Sequence, residues 1–436
     1  MKVCVQGLWH LGCVTAACLA SLGHEVVGYD ADGARVDALN AARAPLLEPG
    51  LDALIAEGMA ARRLRFSANR DDAARDVDAL WIAYDTPVDD EDVADTGYVM
   101  EQAEAMLALL PPACLVVVSS QLPVGSVTRL ARSARAHRPD ADFAFAAVPE
   151  NLRLGKAIEV FMRPDRIVAG VYDTRARSRV APLLESISDR IEWMSVESAE
   201  MTKHAINAFL ALSVTFANEL ATLCEAVGAD AKEVERGLKT EARIGPRAYL
   251  APGAAFAGGT LARDVAFLGA VAAEHGKAVP LLHAVKSSND AHKEWAPRKL
   301  EQLVMPLAGA RIALWGLTYK PGTDTLRRSA AVELCRVLLA RGARLAVHDP
   351  VAGELPDDLA AVDRADRPLD ALRGAQALVV CTEWPEYRAV TAQSVTHAAP
   401  GIRVLDANRF LAHLAGCPGI VYHAVGTPSS GGLTHG

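Results

Sequence analysis

Lys2-Val3-Cys4-Val5-Gln6-Gly7-Leu8-Trp9-His10-Leu11-Gly12 decides the fold. The apolar run Lys2–Val5 predicts a strand. A helical pattern follows to Leu22, Gly23 breaks it, and Glu25–Tyr29 reads as a second strand with Asp30 at its end. Strand, glycine-bracketed loop, helix, strand and an acid about twenty residues on make a Rossmann-type dinucleotide-binding βαβ unit. The helix start presents unpaired N–H groups and a positive dipole end to a pyrophosphate. Gly7, Trp9, His10, Leu11 and Gly12 are the candidate contacts. Asp30 can accept both ribose hydroxyls of NAD and would repel the extra phosphate of NADP. The middle glycine of the pattern is Trp9, so the stretch also admits a βαβ unit that only packs, with Trp9 plugging the site.

Apolar runs alternate with helical patterns in two places along the 436 residues. Residues 1–195 carry strand candidates Lys2–Val5, Glu25–Tyr29, Ala79–Ala83, Cys114–Ser119, Phe143–Ala147 and Arg166–Ala169. Residues 298–426 carry Arg311–Trp315, Arg344–His348, Ala377–Val380 and Arg403–Leu405, with a helix Ala330–Ala340 stopped at Arg341-Gly342. Strands alternating with helices predict parallel sheets covered on both faces. Between them, Ser198 to Val227 reads as one long helix ended by Gly228. Its apolar positions cover more than one stripe, which predicts burial on most sides, as a domain connector or a subunit interface. The expected class is α/β, two Rossmann-like parallel-sheet domains joined by a long central helix. Residues 196–297 form the connector, and residues 427–436, rich in Gly, Ser and Thr, a disordered tail.

The net charge of −8 argues against nucleic acid or an anionic membrane as the main partner. No stretch reads as long and apolar enough to span a bilayer. The start lacks the series of features of a secretory leader, so cytoplasm is the expected location. The eight cysteines are scattered, without a CxxC pair, and read as reduced packing residues rather than a disulfide or metal framework. No metal is expected.

Further motifs follow in order: Leu47-Glu48-Pro49-Gly50-Leu51, Thr86-Pro87-Val88, Leu122-Pro123-Val124-Gly125, Pro149-Glu150-Asn151-Leu152-Arg153, Lys203-His204-Ala205-Ile206-Asn207-Ala208-Phe209-Leu210, Arg243-Ile244-Gly245, Pro252-Gly253, Gly316-Leu317-Thr318-Tyr319-Lys320-Pro321-Gly322-Thr323-Asp324 with Arg327, and Thr382-Glu383-Trp384. In order and spacing over nearly the whole chain, they resemble the UDP-glucose/GDP-mannose dehydrogenase family. The resemblance implies an N-terminal NAD domain, a central helix that makes a homodimer, and a C-terminal domain holding the nucleotide of a nucleotide-sugar substrate. Typical members oxidise the sugar C6 hydroxyl to a carboxylate in two hydride transfers, with two NAD, no metal and a cysteine thioester.

The resemblance carries roles onto particular residues. Lys203 and Asn207, four apart on one helix, would position and stabilise a developing oxyanion. A Lys on an apolar helix needs a partner or a role, and a structural pair at a domain seam is the plain alternative. Glu150 would handle a proton or order a water; otherwise it is a seam carboxylate. Arg153, Arg243, Tyr249, Gly253 and Lys320, with Lys203 and Asn207, are the candidate substrate contacts. Arg35, Thr86, Gln121 and Arg327 join the cofactor contacts. For each of these arginines and for Lys320, a surface salt bridge is the plain alternative.

Phe256-Ala257-Gly258-Gly259-Thr260-Leu261-Ala262-Arg263-Asp264 resembles the family's F-G-G-S-C-x-P-K-D. Asp264 is kept and Arg263 replaces the lysine, but Thr260 stands at the cysteine position. Gln121 stands where the family usually has threonine, and Asn151 where it has phenylalanine. A thiol supplies some thiolate near neutral pH, whereas a threonine hydroxyl supplies almost none without an adjacent base. A thioester route is therefore not expected. Three readings stay open: a nucleotide-sugar dehydrogenase of polysaccharide precursor biosynthesis that stops at two electrons, four-electron oxidation to the acid by water held by Glu150 or Gln121, or a non-catalytic protein that binds NAD or a nucleotide sugar.

Overall fold

The protein is described by a computed structural model that covers residues 1–86, 94–150, 152–257 and 259–428. It forms two compact units, Met1–Ile206 and Asn207 onward. The tail from residue 429, Pro87 and Val88, Asn151 and Gly258 lie outside the described residues.

In the first unit, apolar runs become strands β1 Lys2–Gln6, β2 Glu25–Tyr29, β3 Leu64–Ser67, β4 Ala79–Ile82, β5 Leu115–Val118, β6 Ala144–Ala147, β7 Ile167–Val171 and β8 Ile191–Met194. They form one sheet in the order β3-β2-β1-β4-β5-β6-β7-β8. The sheet is parallel through β6, as expected, but β7 pairs antiparallel with β6, and β8 is again parallel to β7. The second unit holds β9 Arg311–Trp315, β10 Arg344–His348, β11 Asp363–Arg364, β12 Ala377–Val380, β13 Ile402–Asp406 and β14 Ile420–His423, in the order β11-β10-β9-β12-β13-β14. This is the doubly wound order of a Rossmann sheet.

The sequence pattern missed β3, β8, β11 and β14. These are the outermost strands of the two sheets. The interior strands β4, β5, β6 and β12 are buried at every position, while β8 and β11 have no fully buried position at all. An edge strand covered on fewer sides needs no continuous apolar run, so that cue cannot find it.

The two sheets share a device at the end of their first strands. Gly7 (φ +92°) and Gly316 (φ +86°) adopt the left-handed conformation that favours glycine. Gly7 N–H donates to the Tyr29 carbonyl and Gly316 N–H to the His348 carbonyl, both at the end of the neighbouring strand. The next residue, Leu8 or Leu317, donates its N–H to Asp30 or Asp349 at 2.8 and 2.6 Å. The helix after Gly7 begins at His10, but the helix after Gly316 begins only at Ala330. The inserted loop carries Lys320 and Arg327.

The central helix runs from Val196 to Val227, and Gly228 (φ +80°) ends it. Its Glu200 carboxylate caps the helix Ser126–His137 by accepting the Gly125 and Val127 N–H groups at 2.6 and 2.9 Å. By length and hydropathy this helix does meet the criterion for crossing a membrane, contrary to the sequence reading. Polar residues along this helix are buried and hydrogen-bonded within the protein, among them Glu200, His204, Asn207 and Asn218. The expectation of burial on most sides is also corrected: Phe209, Phe216, Leu223 and Val227 are 49–77% exposed. Their spacing of seven, seven and four places them on one face of the helix.

Candidate active site

The crevice outside the carboxyl ends of β1 and β4, where the strand order reverses, is where such a sheet binds ligands. A Cβ at Gly12 would fall inside the Gly7 carbonyl oxygen, and one at Gly7 would meet the Tyr84 ring at 2.7 Å. The first and third glycines therefore let the helix His10–Ser21 start directly against β1. Leu11 and Gly12 are buried in that start, and the Trp9 backbone precedes it without capping it by its side chain.

Asp30 ends β2 and is already engaged. Its Oδ2 accepts from Leu8 N–H and from Arg35 Nη1 at 2.7 Å, and its Oδ1 from Asp32 N–H at 3.0 Å. Arg35 lies over the Trp9 indole, 5.1 Å from the ring centroid. The tryptophan in place of glycine is 40% exposed and serves as a platform for the arginine that holds Asp30. This glycine cradle, helix start and acid fit a dinucleotide.

His10 Nε2 donates to Glu48 at 2.8 Å, and Glu48 also accepts the Gly155 and Ala157 N–H groups at 2.7 and 2.9 Å. One buried carboxylate thus ties the cofactor loop to the segment that follows Glu150. Sequence reading placed Glu48 in a motif without assigning this task. Asp85 was missed altogether: it follows β4 and accepts the Leu11 N–H at 2.9 Å. Its position at the strand-order reversal was the available signal.

Thr86 Oγ1 donates to the Gln121 carbonyl at 2.7 Å, which brings those two candidates together. A small cavity in the same unit is lined by Gln121, Glu150, Glu200, Lys203 and His204. Burial pushes the Glu200 carboxyl above its usual range. Lys203 is 8% exposed, and its Nζ donates to the Glu150 carbonyl at 2.6 Å and lies 3.8 Å from Glu150 Oε1. Glu150 lies three residues past β6 and its Oε2 accepts the Leu152 N–H. Arg153 is exposed.

In the second unit, Asn207 donates its amide N–H to Asp264, and both are buried. Asp264 sits in the helix Thr260–Glu274, whose first residue is Thr260. Thr260 is exposed, and among the described residues no histidine or carboxylate is hydrogen-bonded to its hydroxyl. Burial pushes the Cys18, Cys114 and Cys335 thiols up to about 12 and raises those of Cys4, Cys13 and Cys381 as well, away from reactivity.

Gly253 is fixed from three sides. Its N–H donates to Asn218 Oδ1 at 2.9 Å, its carbonyl contacts His292 Nε2 at 2.8 Å, and Asn408 Oδ1 fills the space a Cβ would need. Tyr249, Arg243 and Arg327 are exposed and Lys320 is half-buried. Arg243 pairs with Glu241 at 2.8 Å, the surface salt bridge that sequence left open. A cavity of about 260 Å³ opens beside Thr318, Ser329, Ala331, Cys381 and Thr382. It lies where β9 and β12 reverse the strand order of the second sheet, and none of the candidate substrate residues lines it. Asp349 beside it is held below the usual carboxylate range: burial opposes this, but N–H groups of Leu317, Thr318, Val351 and Ala352 outweigh it.

Three family models match in order: the UDP-glucose/GDP-mannose dehydrogenase NAD binding domain over residues 1–188, the central domain over 197–291 and the UDP binding domain over 313–413. The UDP-glucose 6-dehydrogenase of Pseudomonas aeruginosa is 34% identical over 448 aligned residues, covering 99% of this chain and 98% of the relative. That of Rhizobium meliloti is 37% identical, covering 89% and 91%. The structure of a UDP-glucose dehydrogenase from the archaeon Pyrobaculum islandicum matches with a TM-score of 0.88 at 32% identity, over 98% of both chains. The chain belongs to the UDP-glucose/GDP-mannose dehydrogenase family.

Proposed function

We propose that this family member oxidises the C6 hydroxyl of a UDP- or GDP-linked sugar with NAD, as a supplier of polysaccharide precursors, and stops after one hydride transfer. The observation that carries the two-electron limit is Thr260: an exposed secondary hydroxyl, at the position of the family's cysteine, with no hydrogen-bonded base among the described residues. Residues 1–195 serve the cofactor, 196–297 connect and dimerise, and 298–426 hold the nucleotide.

Bound NAD would accept hydride from the carbinol carbon. This chain's residues handle what remains, an oxygen that gains negative charge and a proton that must leave. Lys203 brings an ammonium group already fixed by the Glu150 carbonyl, so it need not reorganise as charge develops. Asn207 has its amide oriented by Asp264. Glu150 is the group we assign to the departing proton. Arg153, Arg243, Tyr249, Gly253, Lys320 and Arg327 are the assigned contacts for the nucleotide and cofactor phosphates and the sugar.

The test is stoichiometry. Across a panel of nucleotide sugars, the true substrate should yield about one NADH per sugar, and mass spectrometry should find the aldehyde or its hydrate. Two NADH and a carboxylate would replace this reading by a second one, in which water adds to the aldehyde; the proximity of Glu150 to Lys203 supports that route.

We also infer a homodimer through the exposed stripe Phe209, Phe216, Leu223 and Val227, because such a face is otherwise left in water. Light scattering after gel filtration should give twice the chain mass. The double substitution Phe209→Glu and Phe216→Glu should halve it; an unchanged mass would place the interface elsewhere.

A further inference from the structure

We infer that Asp85 acts as a built-in competitor for the cofactor's pyrophosphate, occupying part of the anion site at the start of the helix His10–Ser21 until NAD displaces it. This rests on the reading of that helix start as the dinucleotide site. The first N–H groups of a helix have no partner within it and attract anions. Here the Leu11 N–H is taken by the Asp85 carboxylate at 2.9 Å, while Trp9 supplies no side-chain cap and the helix has no acid of its own in the first turn. The carboxylate thus satisfies a backbone donor that a pyrophosphate would also seek.

Charge makes the two occupants exclusive. A carboxylate and a pyrophosphate oxygen on the same donor would be like charges a few ångströms apart. The neighbourhood is already acidic: the buried Cys13 thiol is raised first by its burial and then by the Asp85 and Asp30 carboxylates, opposed by Arg35. Arg35 is engaged by Asp30 and Asp32 at 2.7 and 3.2 Å. Asp85 is exposed, which lets its side chain swing into water without leaving a buried charge behind. The contact therefore stabilises the cofactor-free protein and lowers its apparent affinity for NAD.

The two consequences have opposite signs, and that separates competition from a purely structural cap. Asp85→Asn keeps an acceptor for Leu11 N–H and removes the charge; Asp85→Ala removes both. Calorimetric titration with NAD should show affinity rising on the order of fivefold to tenfold in both variants, with the gap to the parent protein shrinking as salt is added. Without NAD, Asp85→Ala should melt a few degrees lower than the parent. Weaker NAD binding in both variants would overturn the proposal and make Asp85 a cofactor contact. Unchanged affinity with a lowered melting temperature would overturn it in favour of a structural cap. If the parent protein itself binds no NAD, the dinucleotide reading fails, and the proposal with it.

Discussion

Replacing Lys203 with alanine is expected to lower kcat on the order of a thousandfold while leaving NAD affinity unchanged. The ammonium is the positive group assigned to the oxygen that becomes negative as hydride departs. Its value comes from being held before the reaction begins: it is buried, and its Nζ is fixed at 2.6 Å from the Glu150 carbonyl. The alanine variant loses that hydrogen bond and leaves a carbonyl short of a donor, at about 1–3 kcal/mol of stability. A small decrease in melting temperature should therefore accompany the large kinetic loss. Initial rates by NADH absorbance, calorimetric NAD binding and thermal melting on one preparation separate these effects. Turnover within tenfold of the parent, in a folded variant, would remove Lys203 from the chemistry.

The largest structural effect is expected from Gly12→Ala. The new methyl group would occupy the position of the Gly7 carbonyl oxygen, with the Ala83 carbonyl 3.4 Å away. Neither is the mobile end of a side chain. Relief requires moving the whole helix His10–Ser21, whose residues from His10 to Ala20 are all buried. Overpacking of a core costs about 1–3 kcal/mol and more when backbone resists. The first unit should melt on the order of ten degrees lower and lose NAD binding. Gly33→Ala is the control: a Cβ there meets nothing within 4 Å, at the start of the helix Gly33–Asn40, and should leave melting and binding intact or slightly improved. Equal behaviour of the two variants would show that Gly12 is not the point of closest approach.

Legibility in the sequence followed covering. Strands with both faces and both edges occupied, such as β4 and β12, must be apolar throughout, and their runs stand out. The helix Ala330–Ala340 was readable to the residue, because Ser329 caps its start and Gly342, at φ +81°, follows its end. The edge strands were not readable because neighbours on one side only impose a weaker pattern. Likewise the four large apolar residues on the exposed face of the central helix look in sequence like any other buried apolar positions.

By itself the sequence determined the class, the βαβ unit and its glycines, and the family. Each of these depends on local backbone demands or on residue identity in order along the chain. Only the tertiary structure decided who holds whom. Asp30 is engaged by Arg35, which rests on Trp9; Glu48 joins His10 to the segment after Glu150; Asp85 sits on Leu11, 74 residues away. The direction of β7 and the cavity beside Thr318 and Thr382 belong to the same group. A hydrogen bond between distant residues depends on where strand ends meet, and strand order is settled by packing of the whole sheet rather than by any segment alone.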